Sequence, residues 1–188
     1  MGKLTFWIAV TALLSLSAGA GAIVAQEAEP APAVGPSQEV LRMWNNVCGK
    51  LVTMAEDFPE DKYDYRPTPE VWTFAEMLLH IAGSNYLFID TARGQKMGEE
   101  DLSREKYATK AEVVAILKKS VEEGAALIQQ AGDEGMAQPI KFPFGNRMIS
   151  QQGFWMAQVE HAGEHYGNLV VYYRLNGIVP PASRGGSN

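Results

Sequence analysis

The sequence predicts an all-α protein whose core is a four-helix bundle, and three observations lead to that prediction. Apolar residues recur every three or four positions in four separate segments, the spacing that gives a helix one apolar face. No segment alternates apolar and polar residues as a half-buried strand would. A Ser or Thr precedes each of the four patterns and a Gly or Pro follows it, as at helix ends. Four such helices bury their apolar faces against one another.

The first two helices are predicted from their start and stop signals. The first covers residues 38–57, with Ser37 as its N-cap, because a serine hydroxyl there accepts a hydrogen bond from a free backbone N–H. The second opens at residues 73–76, Thr-Phe-Ala-Glu, whose first and last side chains form a capping box. It is expected to end near Arg93 and Gly94, since glycine adopts the left-handed conformation of a C-cap.

The last two helices carry equally clear signals. A second capping box at residues 109–112 opens the third helix, which is expected to end near Gly132. Segment 139–148 has two prolines and a Gly-Asn turn, so we expect a loop with a short extended piece that stays outside the bundle. Ser150 is expected to cap the fourth helix, which runs to Leu-Asn-Gly at residues 175–177. The connections after the first and third helices are long enough to cross the bundle.

Length and charge limit the classes of function. At 188 residues with 46% hydrophobic residues, the chain is long enough for one domain with a sizeable core. The net charge is −6 and the isoelectric point is near 5.1, and Lys and Arg form no cluster in the sequence. An acidic chain without a basic patch is not expected to bind nucleic acid.

The N-terminus has the pattern of an export signal. Lys3 precedes an apolar run over residues 4–16, and small residues follow, which favours cleavage after Ala22 or Ala25. A retained membrane anchor is the alternative, but the apolar run is shorter than the ~20 residues that a spanning helix needs. We therefore expect export to the periplasm or the medium, with no stable membrane span after cleavage.

These boundaries divide the chain into four parts. We predict a signal peptide over 1–25, a flexible linker over 26–36, the bundle over 37–181 and a flexible tail over 182–188. The single cysteine, Cys48, excludes an internal disulfide even in an oxidising compartment. Its apolar neighbours predict a buried core residue rather than a nucleophile or a ligand.

The three histidines are the candidate functional residues. His161 and His165 are four positions apart, so on one helix their rings lie on the same face, one turn apart. His80 lies on a largely apolar face of the second helix. A lone histidine there is more often a hydrogen-bonded core residue than a ligand, whereas a pair at this spacing favours a shared metal ion. Three imidazoles from two helices would leave a coordination position open, as in a reactive metal site.

Other metal sites of helical proteins do not fit the sequence. A di-iron carboxylate bundle needs Glu three residues before His on two helices, and a c-type haem needs Cys-x-x-Cys-His; neither pattern occurs. A zincin-type protease has Glu directly after its first His, where this chain has Ala162. No general base is therefore evident from the sequence.

Three further residues are candidates for contact with the histidines. Glu76 lies four residues before His80 and could accept its free ring N–H, although the capping box already gives Glu76 a backbone partner. Glu164 lies close to the ligand face of the fourth helix, where a charged residue is more often solvated. Either Asn85 or Glu164 could instead close the site as a fourth ligand.

Two segments of the sequence carry a family resemblance. Residues 65–82 begin Tyr-Arg-Pro-Thr-Pro-Glu-Val-Trp and end Leu-Leu-His-Ile-Ala. Residues 161–181 begin His-Ala-Gly-Glu-His-Tyr-Gly-Asn and end Asn-Gly-Ile-Val-Pro-Pro. Together they resemble the DinB-like family of damage-inducible, metal-binding bundles. The resemblance covers residues 37–181.

The resemblance implies a fold, a metal site and a set of partners. It implies an up-up-down-down four-helix bundle that holds a divalent metal, commonly nickel or zinc, through His80, His161 and His165. Relatives include thiol transferases and a mycothiol-dependent isomerase, so a small-molecule substrate or thiol is an implied partner, and a homodimer an implied assembly. Low-molecular-weight thiols belong to the cytosol, which makes them less expected for an exported member.

Two hypotheses of function remain open at the level of sequence. In the first, the protein is a metal-dependent hydrolase or thiol transferase that activates water or a thiol for attack on a small electrophile. In the second, it is a metal-containing binding or structural module without turnover. An open metal position is expected of the enzyme, and a fourth protein ligand of the structural module.

Overall fold

Four long α-helices make up most of the computed structural model, which describes residues 34–96 and 101–185. The elements in chain order are α1 (Pro36–Asp57), α2 (Phe74–Arg93), α3 (Lys110–Ala137), β1 (Pro139–Lys141), β2 (Met148–Ser150) and α4 (Gln151–Leu175), with short 3₁₀ helices at Glu60–Lys62 and Pro181–Ser183. The predicted signal peptide and most of the predicted linker lie outside the described residues. Within the described ranges, no helix is both long and apolar enough to cross a membrane.

The helices form the predicted four-helix bundle. Helices α1 and α2 each pack against α3 and α4, and far less against each other, so α1 and α2 occupy diagonal corners. Large side chains from all the helices meet along the axis, where removal of their apolar surface from water supplies most of the favourable free energy of folding. Among the completely or almost completely buried side chains are Trp44, Leu51, Phe74, Ile81, Leu117, Ile128, Phe154, Trp155 and Tyr173.

The helix starts that position the histidines are as predicted. The Thr73 hydroxyl accepts a hydrogen bond from the Glu76 backbone N–H, and the Glu76 carboxylate accepts one from the Thr73 N–H. Thr109 begins α3 with the same reciprocal pair. Ser150 caps α4 by accepting from the Gly153 N–H at 3.1 Å. These caps satisfy backbone donors that the first turn of a helix leaves free.

The start of α1 differs from the prediction. The helix begins at Pro36, and its N-cap is Gly35, not Ser37. Proline suits the first turn because its φ is already helical and it has no N–H to leave unsatisfied. The Ser37 N–H and hydroxyl both donate to the Asp133 carboxylate on the neighbouring helix α3, at 3.0 Å and 2.5 Å. A Cβ on Gly35 would lie 2.1 Å from a carboxylate oxygen of Asp133, so a larger residue there would displace that side chain.

Two predictions between α3 and α4 need correction. Gly132 leaves the helical conformation, with φ 59°, but the helix resumes beyond it and ends at Ala137. The segment expected to remain outside the bundle forms an antiparallel hairpin of β1 and β2. Its Phe142 is only 8% exposed and belongs to the core, with its ring 6.3 Å from that of Phe88. Burial of that aromatic surface outweighs the loop-forming tendency of the two prolines.

Candidate metal centre

The bundle brings the three histidines together. His80 lies in the second turn of α2, and His161 and His165 lie one turn apart on α4. The Nε2 atom of His161 is 3.3 Å from Nε2 of His80 and 3.0 Å from Nε2 of His165. The ligating atoms of all three lie within 4.8 Å of one another. Their role as metal ligands stays a prediction.

The two nitrogen separations from His161 suit a shared metal ion. Zinc binds histidine at about 2.0–2.1 Å, so two imidazoles at a tetrahedral angle place their nitrogens about 3.3 Å apart, and at a right angle about 2.9 Å apart. Both separations from His161 Nε2 fall in this interval. Two neutral imidazoles can also approach this closely through one N–H···N bond, but each neutral ring carries only one N–H to donate. A cation would satisfy all three Nε2 atoms at once.

The environment favours the neutral form of each ring, which is the form that binds metal. Burial, together with the neighbouring rings of His165 and His161, lowers the pKa of His80 to about 4. Burial also lowers the pKa of His161, and the ring of His165 adds to that effect. For His165, burial lowers the pKa while the nearby Glu164 carboxylate opposes the change.

An aromatic wall and a cleft lie beside the histidines. The Trp72 ring packs on His80 with a centroid separation of 4.4 Å, and 46% of Trp72 remains exposed. Its backbone carbonyl accepts a hydrogen bond from the Tyr172 hydroxyl at 2.6 Å, which ties the segment before α2 to α4. Next to these residues is a cleft of about 330 Å³. Its lining comprises Trp72, Glu76, Leu79, His80, Leu102, Ser103, Arg104 and Glu105.

The three candidates for secondary contacts have different surroundings. The Glu76 carboxylate accepts from the Thr73 N–H at 2.6 Å and lies 3.4 Å from Arg66, so its observed partners are those of a helix cap. Glu164 is exposed on α4. Asn85 is completely buried, and its amide bonds to Ser120 and Gln158. No carboxylate or thiolate of the described residues joins the three histidines as a fourth ligand.

Two residues near the histidines were missed at the level of sequence. The Ser84 hydroxyl lies 3.2 Å from Nδ1 of His161 and donates to the Gln158 side-chain oxygen at 2.8 Å. Ser84 follows His80 by four residues and Gln158 precedes His161 by three, so each shares a helix face with a histidine. That spacing was a usable signal, although Ser and Gln on a helix are common without any role.

Cys48 takes no part in the site. It is completely buried, and burial raises the pKa of its thiol to about 12. The thiolate, which is the nucleophilic and metal-binding form, is therefore absent at neutral pH. The prediction that Cys48 is a core residue is confirmed.

Comparison with known proteins gives both sequence and fold relatives. The sequence profile described as the DinB superfamily matches residues 45–169. YjoA, an uncharacterised protein of Bacillus subtilis strain 168, is 28% identical over 126 residues, which cover 66% of this chain and 80% of YjoA.

Two solved structures share the fold. A DinB-like protein from Bacillus cereus ATCC 10987 aligns with a TM-score of 0.65 at 18% identity, covering 77% of this chain and 95% of that protein. YfiT from Bacillus subtilis, described as a probable metal-dependent hydrolase with an unusual four-helix bundle topology, aligns with a TM-score of 0.61 at 17% identity. That alignment covers 81% of this chain and 95% of YfiT.

Proposed function

The chain belongs to the DinB superfamily, and on that premise we propose that it is an exported, metal-dependent hydrolase of a small molecule. The convergence of the Nε2 atoms of His80, His161 and His165 is the observation that carries the proposal. The description of YfiT as a probable metal-dependent hydrolase supports it from a protein of the same fold.

The residues of the site have separable tasks. The three neutral imidazoles hold a divalent cation, with nickel or zinc as the expected metal. Such an ion lowers the pKa of a bound water toward ~7 and polarises an electrophile. Half-burial of the rings limits the access of bulk water, which strengthens charge interactions at the site. Trp72 offers an exposed ring face, beside the cleft, on which an apolar part of a substrate can pack.

The contacts of the neighbouring residues favour an open coordination position over a closed, structural one. Both ends of the Asn85 amide are already hydrogen-bonded to two side chains outside the histidine cluster, those of Ser120 and Gln158. Glu164 is exposed and does not join the cluster of ligand atoms. A site held by three histidines leaves room for water or substrate, as catalytic zinc sites do.

Export is supported by the N-terminal sequence. Lys3, the apolar run and the small residues around Ala22 and Ala25 have the order of a cleavable signal. In an exported protein, water is the abundant nucleophile and cytosolic thiols are scarce, which favours hydrolysis over thiol transfer.

The test is metal analysis of protein purified from the exported fraction. We expect a mature N-terminus just after Ala22 or Ala25 by mass spectrometry, and about one nickel or zinc ion per chain by elemental analysis. His161→Ala is expected to lose most of this metal, because it removes the ring that lies between the other two. Asn168→Ala, an exposed change on the same helix, is the matched control and should retain it.

Activity is then measured on the metal-loaded protein. We expect chelator-sensitive hydrolysis of 4-nitrophenyl acetate by the wild type and by Asn168→Ala, but not by His161→Ala. Equal metal in all three proteins would contradict the assignment of His161. Metal binding with turnover only in the presence of an added thiol would make the protein a thiol transferase, and metal that does not exchange and supports no turnover would make it a structural module.

A further inference from the structure

Four polar side chains connect the metal centre to a backbone carbonyl by an unbroken series of hydrogen bonds. We call this series the polar chain; in order from the carbonyl of Leu117 it contains Ser120, Asn85, Gln158 and Ser84, and it ends at Nδ1 of His161. Its members come from α2, α3 and α4. Three of them, Ser120, Asn85 and Gln158, are completely buried, so water does not offer them other partners.

The direction of the bonds is fixed at the far end of the polar chain. A carbonyl oxygen can only accept, so the Ser120 hydroxyl must donate its one hydrogen to the Leu117 oxygen, 2.8 Å away. With that hydrogen committed, the Ser120 oxygen can only accept, and the group of Asn85 that faces it at 3.0 Å must be the NH₂. The amide oxygen of Asn85 therefore points the other way, toward α4.

The same reasoning carries the direction to the histidine. The Asn85 oxygen requires a donor, so Gln158 presents its NH₂ there at 2.8 Å and turns its own oxygen toward Ser84. The Ser84 hydroxyl donates to that oxygen at 2.8 Å, which uses its only hydrogen. What remains on Ser84 is an acceptor, 3.2 Å from Nδ1 of His161. Nδ1 must then carry the ring proton.

We infer that the polar chain is a positioning device that holds His161 in its Nδ1–H tautomer and so directs the Nε2 lone pair at the metal centre. Of the two neutral tautomers, only this one presents a lone pair where Nε2 of His80 and of His165 converge. The opposite tautomer would need every donor in the polar chain to reverse, and the Leu117 carbonyl cannot donate. The Leu117 carbonyl on α3 thus sets the tautomer of the His161 ring on α4.

The inference deepens the proposed function, because a preset lone pair serves a metal site, but its test does not depend on metal. In metal-free, ¹⁵N-labelled wild-type protein above neutral pH, long-range ¹H–¹⁵N correlation spectra distinguish a protonated ring nitrogen from one with a lone pair. We expect His161 to show a protonated Nδ1 and an unprotonated Nε2. A protonated Nε2 in the wild type would overturn the inference without any variant.

The variant that tests the chain as a whole is Ser120→Ala, which removes the anchor four hydrogen bonds away from His161. Without the Ser120 hydroxyl, both amides are free to turn over, and Ser84 can then donate to Nδ1. We expect the two ¹⁵N shifts of His161 to move toward each other as the second tautomer becomes populated. Gln158→Met breaks the chain beside Ser84 and should give the same change, which covers the case that Ser120→Ala does not fold.

The matched control is Thr91→Val, which removes a hydroxyl from α2 whose hydrogen bond goes to the Leu87 carbonyl and not to a member of the polar chain. Its His161 spectrum should be that of the wild type. Loss of an outer-shell partner typically weakens metal binding about 10- to 100-fold, and we expect a loss in this range for Ser120→Ala and none for Thr91→Val in competition with a chromogenic zinc chelator.

The outcomes separate this inference from the proposed function. Unchanged His161 shifts in a folded Ser120→Ala or Gln158→Met protein would overturn the inference, even if metal affinity fell, because a merely structural role lowers affinity without changing the tautomer. A wild type that shows the Nδ1–H tautomer but takes up no metal would uphold the polar chain and contradict the metal-dependent hydrolase.

Discussion

Two buried regions of the bundle differ in the hydrogen-bond partners of their polar atoms. The aromatic cluster, formed by Phe58, Tyr63, Phe74 and Tyr173, packs its rings with centroid separations of 3.9 Å for Phe58 and Phe74 and 4.8 Å for Phe58 and Tyr173. Each tyrosine hydroxyl in this cluster donates directly to a backbone carbonyl of α1. Tyr63 donates to the carbonyl of Ala55, and Tyr173 donates to the carbonyl of Met54. In the polar chain, side chains bond mainly to one another across three helices before one carbonyl ends the series.

The contrast shows what each arrangement does. A hydroxyl that ends on the nearest carbonyl avoids the cost of an unsatisfied buried group and leaves the rings free to contribute apolar burial. A series of side-chain amides and hydroxyls adds little apolar area. It does make the hydrogen-bond direction of one member depend on the directions of all the others. We conclude that the aromatic cluster stabilises the fold, and that the polar chain controls a single ring.

The largest effect on stability is expected from Phe74→Ala in the aromatic cluster. Phe74 is completely buried and stacks on Phe58. Truncation of such a ring leaves a cavity and typically lowers the free energy of unfolding by about 3–5 kcal/mol. Urea titration followed by circular dichroism measures this, and the folded fraction should keep its metal-to-protein ratio. A loss below about 1 kcal/mol, or selective loss of metal, would contradict the division between the two regions.

A smaller effect is expected from Tyr173→Phe, which retains the ring and removes only the hydroxyl. The change leaves the buried Met54 carbonyl without this donor and removes a 3.2 Å contact with Asp57. We expect the free energy of unfolding to fall by about 1–3 kcal/mol, with metal affinity unchanged. The same urea titrations and chelator competition measure both quantities. If metal affinity falls tenfold, the aromatic cluster is coupled to the site and the comparison fails.

The third effect is a pH dependence of the metal-free protein that originates in the histidine site. The pKa of His80 is about 4 in the fold, mainly through burial, against about 6.5 in an unfolded chain. As the pH falls below about 6.5, the unfolded chain takes up a proton that the folded one does not, so stability decreases. The contribution of His80 to this decrease should stop near pH 4, where folded His80 is also protonated.

Urea midpoints measured at intervals between about pH 7 and about pH 4 test this pH dependence. His80→Gln removes one titrating group and should flatten the profile, whereas Asn168→Ala, which removes none, should reproduce the wild-type curve. An unchanged slope in His80→Gln would show that the pH dependence comes from other groups. Stability that rises as the pH falls through this range would contradict the direction of the pKa shift.

The sequence predicted the elements of the bundle well where the signal was local. The caps at Thr73, Thr109 and Ser150 follow from hydrogen bonds between a side chain and a backbone group three residues away, and all three are confirmed. Ser37 was predicted to be a cap by the same rule and is not, because the helix already begins at Pro36 and the Ser37 N–H and hydroxyl both donate to the carboxylate of Asp133, 96 residues away. A rule based on neighbouring residues does not include a partner so distant in the sequence.

The candidate site was predictable only in its ligands. Histidine is rare in this chain, and the spacing of four residues marks His161 and His165, so the sequence identified the residues that the fold brings together. Ser84 and Gln158 are ordinary helix residues, and they matter to the site because they hydrogen-bond to each other from two different helices. Their spacing from His80 and His161 places each on the same helix face as a histidine, but it does not indicate that the two side chains contact each other.

By itself, the sequence determined that the described chain forms four helices, where most of them begin and which three imidazoles are candidates for a metal, because these features depend on neighbours within a few residues. Only the tertiary structure decided the corner that each helix occupies, the burial of Phe142 and the direction of every proton between Leu117 and His161. Those features depend on which groups from distant parts of the chain are buried next to one another. In such a buried region, without water, each donor must bond to the acceptor that lies beside it.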